Sequence, residues 1–389
     1  MLTALLFPIL LQAGAPSASD TVVVKAQRDA SAAHADCVRK QCTPTQDANV
    51  TLAYAEQRVL AGDYYGAERA LKAAVSRTRS AARTHPRSVS ALYSGLSTVA
   101  LHLGDETVFR RAAARAITVL GDSYGPDDPR TIAARARMGD IDLARGRYQA
   151  ADEAYRAAAD AARRKKLDLL ADTLDLRRAW LVSLLGAPER SQARLVATAE
   201  DASVDRRVRM QAAVLAARVA GARGDGAVAE RMLAQIGQQP SASATPILVS
   251  APRIALTTTA KILADAEERG DSEMQEGFGP RSMDFIPLRW IDVGFWIRPD
   301  GRVEEAEVLR GSSARDWAKP VIASVADRRY APFAAEMGDT GQYRVERFTL
   351  TAEKMVPIGS LIARRAGPLE LRQLDITRNA GRPAAINPL

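Results

Sequence analysis

Glycine recurs at a fixed interval in the first half of this chain. Gly62, Gly104 and Gly146 stand 42 residues apart. Each separates two amphipathic stretches, in LAGDYYGAERALKAAV, HLGDETVFRRAAARAI and ARGRYQAADEAYRAAA. Such a period marks a repeated supersecondary unit that buries its apolar face on its neighbours. Glycine suits the junction because it takes the positive φ that ends one helix and turns the chain into the next. A second marker keeps the same beat: HPRSVSA at His85 to Ala91 matches DPRTIAA at Asp128 to Ala134. Asp128 suits a helix N-cap and Pro129 the first helical position. Aromatics are only 5% of the chain against 47% hydrophobic residues, so alanine and small aliphatics supply the apolar surface and favour close-packed helices. Gly186 and Gly224 extend the series at spacings of 40 and 38. About five helix pairs are expected over residues 49–236.

The third unit, MGDIDLARGRYQAADEAYRAAA, resembles a tetratricopeptide repeat. Met138-Gly139, Gly146, Tyr148, Ala151, Tyr155 and Ala158 follow that family's order and spacing, while Arg135 and Asp142 stand where large aromatics are usual. The longer period, with LGDSYGPDDPRT between units, is similar to the kinesin-light-chain type. The resemblance implies an all-α solenoid with a concave surface that holds peptides or partner proteins; a ligand-free spacer is the alternative.

A second unit lies near the C-terminus. In WIDVGFWIRPDGRVEEAEVLRGSS, Ile291, Val293, Phe295 and Ile297 alternate with Asp292, Gly294 and Trp296, which predicts a half-buried strand. Pro299-Asp300-Gly301 is a turn signal, and Ala306 and Val308 alternate with Glu305 and Glu307 on a second strand. Pro320 suits the first position of a helix whose apolar face is Val321, Ile322 and Val325, with Trp317 packing where it starts. A last strand follows in GQYRVERFTLTA. There Tyr343 and Val345 share one face and Phe348 and Leu350 the other, so a bulge near Glu346-Arg347 is expected to bring them together.

This β-β-α-β order over residues 286–354 resembles the TonB C-terminal domain, on Val293, Phe295, Asp300-Gly301, Val303, Ser312-Ser313, Tyr330 and Pro332. The resemblance implies a small α+β domain that adds a short extended segment of an outer-membrane receptor as an edge strand. It makes the edge near Tyr343, Val345 and Phe348 the partner site, with core packing as the alternative for each. No spanning helix or long proline-rich spacer of the TonB kind is expected.

The remaining segments set the context. Residues 1–15 read as a signal peptide with cleavage after Ala15, in the A-x-A form of Ala13-Gly14-Ala15. A retained anchor is the alternative, but the apolar run is short of the roughly 20 residues a spanning helix needs. Residues 16–48 hold Cys37 and Cys42, the chain's two cysteines, expected as a disulfide in an oxidising periplasm. The rival reading adds His34 as a third metal ligand. Residues 237–285 read as a linker, GQQPSASATP, and an irregular region with a short strand at Ile247 to Ser250 and helix-forming composition at Ala260 to Glu268. Residues 355–389 form a C-terminal extension with a strand-like run at Leu369 to Ile376.

The formal net charge is +8, but arginines are mixed with carboxylates, as in RARMGDIDLARGR. That pattern describes solvated helix faces and argues against nucleic acid. No G-x-S-x-G, H-E-x-x-H, phosphate loop or spaced metal cluster is present in the sequence, so no catalytic residue, cofactor or metal is assigned. The expectation is a non-enzymatic periplasmic adaptor of the cell envelope. Its partners are envelope proteins or peptides, among them an outer-membrane receptor segment bound by strand addition. A TonB-type energy transducer is the alternative.

Overall fold

The computed structural model describes residues 30–238, 246–252, 254, 288–312, 317–333, 341–356, 361 and 363–377. The leader with its Ala15 site, most of the linker and the helix expected at Ala260 to Glu268 lie outside the described residues.

The first part is a stack of helix pairs. A short α1 (Ala30–Lys40) precedes α2 (Pro44–Leu60) and α3 (Tyr64–Thr78). Then come α4 (Pro86–His102) with α5 (Glu106–Tyr124) and α6 (Pro129–Ala144) with α7 (Tyr148–Arg164). The last pairs are α8 (Asp168–Leu184) with α9 (Pro188–Glu200) and α10 (Arg206–Arg223) with α11 (Gly226–Gln238). The five pairs match the glycine count, and all five turn glycines have φ between 70° and 94°. The array begins earlier than residue 49 because Thr43 and Gln46 form a capping box around Pro44. Where aspartate follows the turn glycine, it caps the second helix: Asp63 accepts from Gly66 N, Asp105 from Val108 N and Asp225 from Val228 N.

Small residues bring the helices together. On α7, Ala151, Tyr155, Ala158 and Ala162 form one fully buried face. The Tyr155 ring lies so near α6 that a Cβ on Gly139 would stand 2.6 Å from it. The positions where the repeat pattern carries large aromatics are polar in this unit, Asp142 buried and Arg135 half-buried, and both are hydrogen-bonded. Asp142 accepts from Arg147 Nε at 2.8 Å, and Arg135 Nη1 donates to the Pro126 carbonyl at 3.0 Å.

The second part is an antiparallel sheet unit. β1 (Leu248–Ser250) pairs with β4 (Arg329–Tyr330), both antiparallel. A four-stranded sheet has the order β3-β2-β5-β6, built from β2 (Arg289–Ile297), β3 (Val303–Gly311), β5 (Gln342–Met355) and β6 (Arg364–Asp375). α12 (Ala318–Ala326) covers one face. Pro320 is the third residue of that helix, two places later than expected. The site tolerates it because the first four helical N–H groups lack intrahelical partners. β6 belongs to the sheet, so the extension beginning at residue 355 is partly domain. Among the described residues no helix is long and apolar enough to cross a membrane.

Two turn glycines separate turning from docking. A Cβ on Gly104 would collide with the Ala352 carbonyl of β5, whereas Gly146 has open space around it. Gly146→Ala is expected to cost about 1 kcal/mol from its positive φ alone, and Gly104→Ala about 2–4 kcal/mol. Urea unfolding of both variants checks the ranking; equal losses would show that the sheet does not press on the Gly104 turn.

Candidate interaction surfaces

Both faces of the sheet are covered. β2 and β5 pair without interruption from Arg289↔Leu350 to Ile297↔Gln342. Ile291, Val293, Phe295 and Ile297 face α12 together with Phe348 and Leu350. Trp290, Asp292, Gly294 and Trp296 share the opposite face with Tyr343, Val345, Arg347 and Thr349. The bulge expected near Glu346-Arg347 is therefore absent. Strict alternation sends Tyr343 and Phe348 to opposite faces, and each face has a cover of its own. The register slips instead between Ala352 and Lys354 against β6, where Lys354 N turns to the Gly104 carbonyl at 2.8 Å.

Arg347 is the centre of the joint with the array. Its side chain is 0% exposed. Nε donates to Asp292 Oδ1 at 2.6 Å and Nη2 to Oδ2 at 2.8 Å. The same guanidinium donates to the carbonyls of Val59 and Leu60 at the end of α2. Those carbonyls carry the negative end of the helix dipole, so a cation there is favoured, and the Val59 carbonyl also accepts from Gly62 N at 2.8 Å. Trp290 lies flat against the guanidinium, 3.8 Å from its carbon, and fills the space above Gly62. Arg310 Nε adds a further contact to Asp292 at 2.7 Å.

Polar contacts continue along the turns. Thr349 Oγ1 lies 2.9 Å from the Tyr64 hydroxyl and 3.0 Å from His102 Nδ1. Burial first, then the positive charges of Arg372 and Arg347, push the His102 imidazole down to about 3. Lys354 Nζ donates to Asp105 at 3.3 Å, and Arg365 Nη1 to the Tyr65 hydroxyl at 2.7 Å. A second joint lies at the last pair. Arg218 of α10 donates to the carbonyls of Leu248 and Val249, while Val249 and Ala331 pack into the apolar cluster around α10.

The partner strand read from the sequence needs correction. β5 is flanked by β2 along its pairing from Gln342 to Leu350 and by β6 from Glu346 onward, so Phe348 is interior, while Tyr343 and Val345 precede the β6 ladder and Val345 bonds outward to Ile376 and Thr377. Phe348 is core, Tyr343 leans on Trp296 with ring centroids 5.2 Å apart, and Val345 is half-buried. From Glu346 onward β6 takes the position where an added strand would pair with β5. The outer strands are β3 and β6. β3 exposes Glu304, Glu305 and Glu307 and is irregular, with Glu305 at a φ of 55°; charge and kinks of this kind discourage pairing.

The other predicted residues are placed simply. Tyr148 packs half-buried beside the Ala151–Tyr155–Ala158 cluster, and the five turn glycines end the first helix of each pair. Cys37 and Cys42 are joined in a disulfide, and the His34 ring stacks on Tyr54 at 4.6 Å. Sequence reasoning missed a polar cluster in the array. Tyr155 donates to Asp140 at 2.6 Å, and Arg177 donates to the same carboxylate at 2.5 Å. Burial raises the Asp140 carboxyl, opposed by Arg177. The residues lie on three helices, so no local spacing announces them.

No family model and no curated protein matches the chain. Among solved structures it is similar to kinesin light chain nearly identical TPR-like repeats from Podosopora anserina. Identity is 16% and the TM-score 0.39, covering 50% of this chain and 94% of that one. It is also similar to BtubC (BKLC) from P. vanneervenii, with 16% identity and a TM-score of 0.41, over 58% of this chain and 98% of that one.

Arg347→Met leaves Asp292 buried beside Arg310 alone and is expected to cost about 3 kcal/mol. Arg347→Met with Asp292→Leu should recover most of it, since no charge is then stranded; denaturant unfolding followed by tryptophan fluorescence checks both. His102 gives a pH dependence of defined sign. The unfolded imidazole takes a proton below its ordinary 6.5, and the folded one refuses it until about 3. Stability is thus lost as pH falls through that window, by about 2 kcal/mol between pH 7 and 5. His102→Gln should remove that increment when unfolding is compared at the two pH values.

Proposed function

We propose that this chain is a non-enzymatic protein–protein interaction scaffold of the cell envelope. In this reading it works in the periplasm with its leader removed after Ala15. The helix pairs act as a tetratricopeptide-like array for one partner, and the sheet unit acts as a TonB-like docking domain for another. The observation that carries the reading is where the sheet sits. Its polar contacts with the first two pairs fall on turn glycines and helix ends, and its third anchor is α10. Exposed helical faces, such as Arg111 and Arg115 on α5 and Arg156 and Asp160 on α7, are left clear of those contacts. Extended helical arrays of this kind present such faces to peptides and proteins.

Strand addition to the sheet, if a receptor segment is the second partner, belongs at the outer edge of β3 or β6. The absence of catalytic motifs from the sequence supports a binding role. Energy transduction is the alternative and requires a retained anchor, so a mature N-terminus at Pro16 would remove it.

Photo-crosslinkers placed at Arg111 and Arg156 in intact cells test the scaffold. The expected outcome is crosslinks to envelope proteins from these faces, and none from a crosslinker at Gly146. Recovery of no envelope protein from either face would end the reading.

A further inference from the structure

A groove remains on the array side of the sheet, beside the end of α2. It encloses about 430 Å³ and is lined by Leu60, Leu309, Arg310, Tyr343, Val345 and Ile376, with Asp292 at its base. That volume lies within the range of sites that hold small ligands and peptide side chains. Gly294 lies beneath two of the lining side chains, Leu309 and Tyr343. Leu309 Cδ1 would come within 3.1 Å of a Cβ there, and the Tyr343 hydroxyl would collide with one, so the two side chains lean together over the bare backbone. Both are large apolar groups left in the open, Leu309 at 43% and Tyr343 at 38% exposure.

Charge gives the groove a direction. One carboxylate, Asp292, serves two guanidinium groups. Arg347 takes both oxygens of that carboxylate in a two-point contact, sharing Oδ2 with Arg310, and spends other donors on the α2 carbonyls. Arg310 contributes a second positive charge to the same base, and its side chain remains 51% exposed. The other charges nearby are Glu307, which borders Tyr343, and the Arg344–Asp375 pair at 2.7 Å. The groove thus has an apolar recess with a cation at one end and a carboxylate at the other.

We infer that this groove binds an extended peptide segment in which a bulky apolar side chain stands beside an acidic residue. The apolar group enters between Leu309, Tyr343, Val345 and Ile376. The carboxylate meets the Arg310 guanidinium, whose planar donors suit a two-point contact, and points away from Glu307. The proposal takes its class of occupant from the scaffold reading but uses neither the helical faces nor a sheet edge.

Fluorescence anisotropy with the full chain and two fluorescein-labelled pools of short peptides tests it. One pool carries a fixed Phe-Asp pair and the other Phe-Asn in the same small-residue background. The Asp pool is expected to bind at least about tenfold more tightly, a difference of one decade in Kd. Arg310→Gln should erase that preference, and Leu309→Ser should weaken both pools; both positions are exposed enough for thermal unfolding to verify an intact fold. Equal binding of the two pools, binding unchanged by both substitutions, or no binding by the wild-type chain would overturn the proposal. Concentration-dependent self-association lost in Arg310→Gln would assign the groove to a second copy and overturn it too. Crosslinks from Arg111 and Arg156 that persist in Arg310→Gln would leave the scaffold reading standing while the groove failed.

Discussion

Arg347 occupies the point where the two halves of the chain become one structure. A guanidinium with no exposed surface would be costly alone. Here it meets a buried carboxylate in the plane of its fork, two carbonyls at a helix end and the face of an indole. Each partner comes from a different level of structure. Asp292 is a cross-strand neighbour, Val59 and Leu60 end a helix nearly three hundred residues earlier, and Trp290 is on the same sheet face. The joint forms only when sheet register and helix length are both right. Such an arrangement favours a unique docking geometry over mere adhesion.

The repeat turns carry that docking at two of five sites. Each turn glycine ends a helix in the left-handed region, but among the described residues only the Gly62 and Gly104 turns also meet the sheet, against Trp290 and Ala352. The Gly146, Gly186 and Gly224 turns keep open space around them. Arg218 then holds β1 to α10, so the sheet unit is tied to both the early and the last pair. Among the described residues the sheet unit is thus held at two separated points of the array.

The array could be read from the chain because its signals are local. Glycine at a fixed beat, aspartate before proline at Asp128-Pro129, and Ala151, Tyr155 and Ala158 on one helical face each act within a few residues. β2 and β3 were legible for the same reason, through alternation on either side of Pro299-Asp300-Gly301. The partner strand was misplaced because edge or interior is a property of neighbours. From Glu346 onward β5 became interior when β6, a strand read only as part of an extension, paired along it. The supposed bulge failed similarly: two apolar pairs on opposite faces look inconsistent only if one face is wet.

The amino-acid pattern by itself determined the helix pairs, their turns and the existence of a strand-rich terminal unit, since periodicity and capping act over a turn or two of chain. Only the tertiary structure decided that Asp292, Arg347 and His102 are buried, that both sheet faces are covered and that a charged groove remains at Gly294. Those outcomes depend on contacts spanning hundreds of residues. A polar residue in a strand looks the same in sequence whether it meets water or the end of a distant helix.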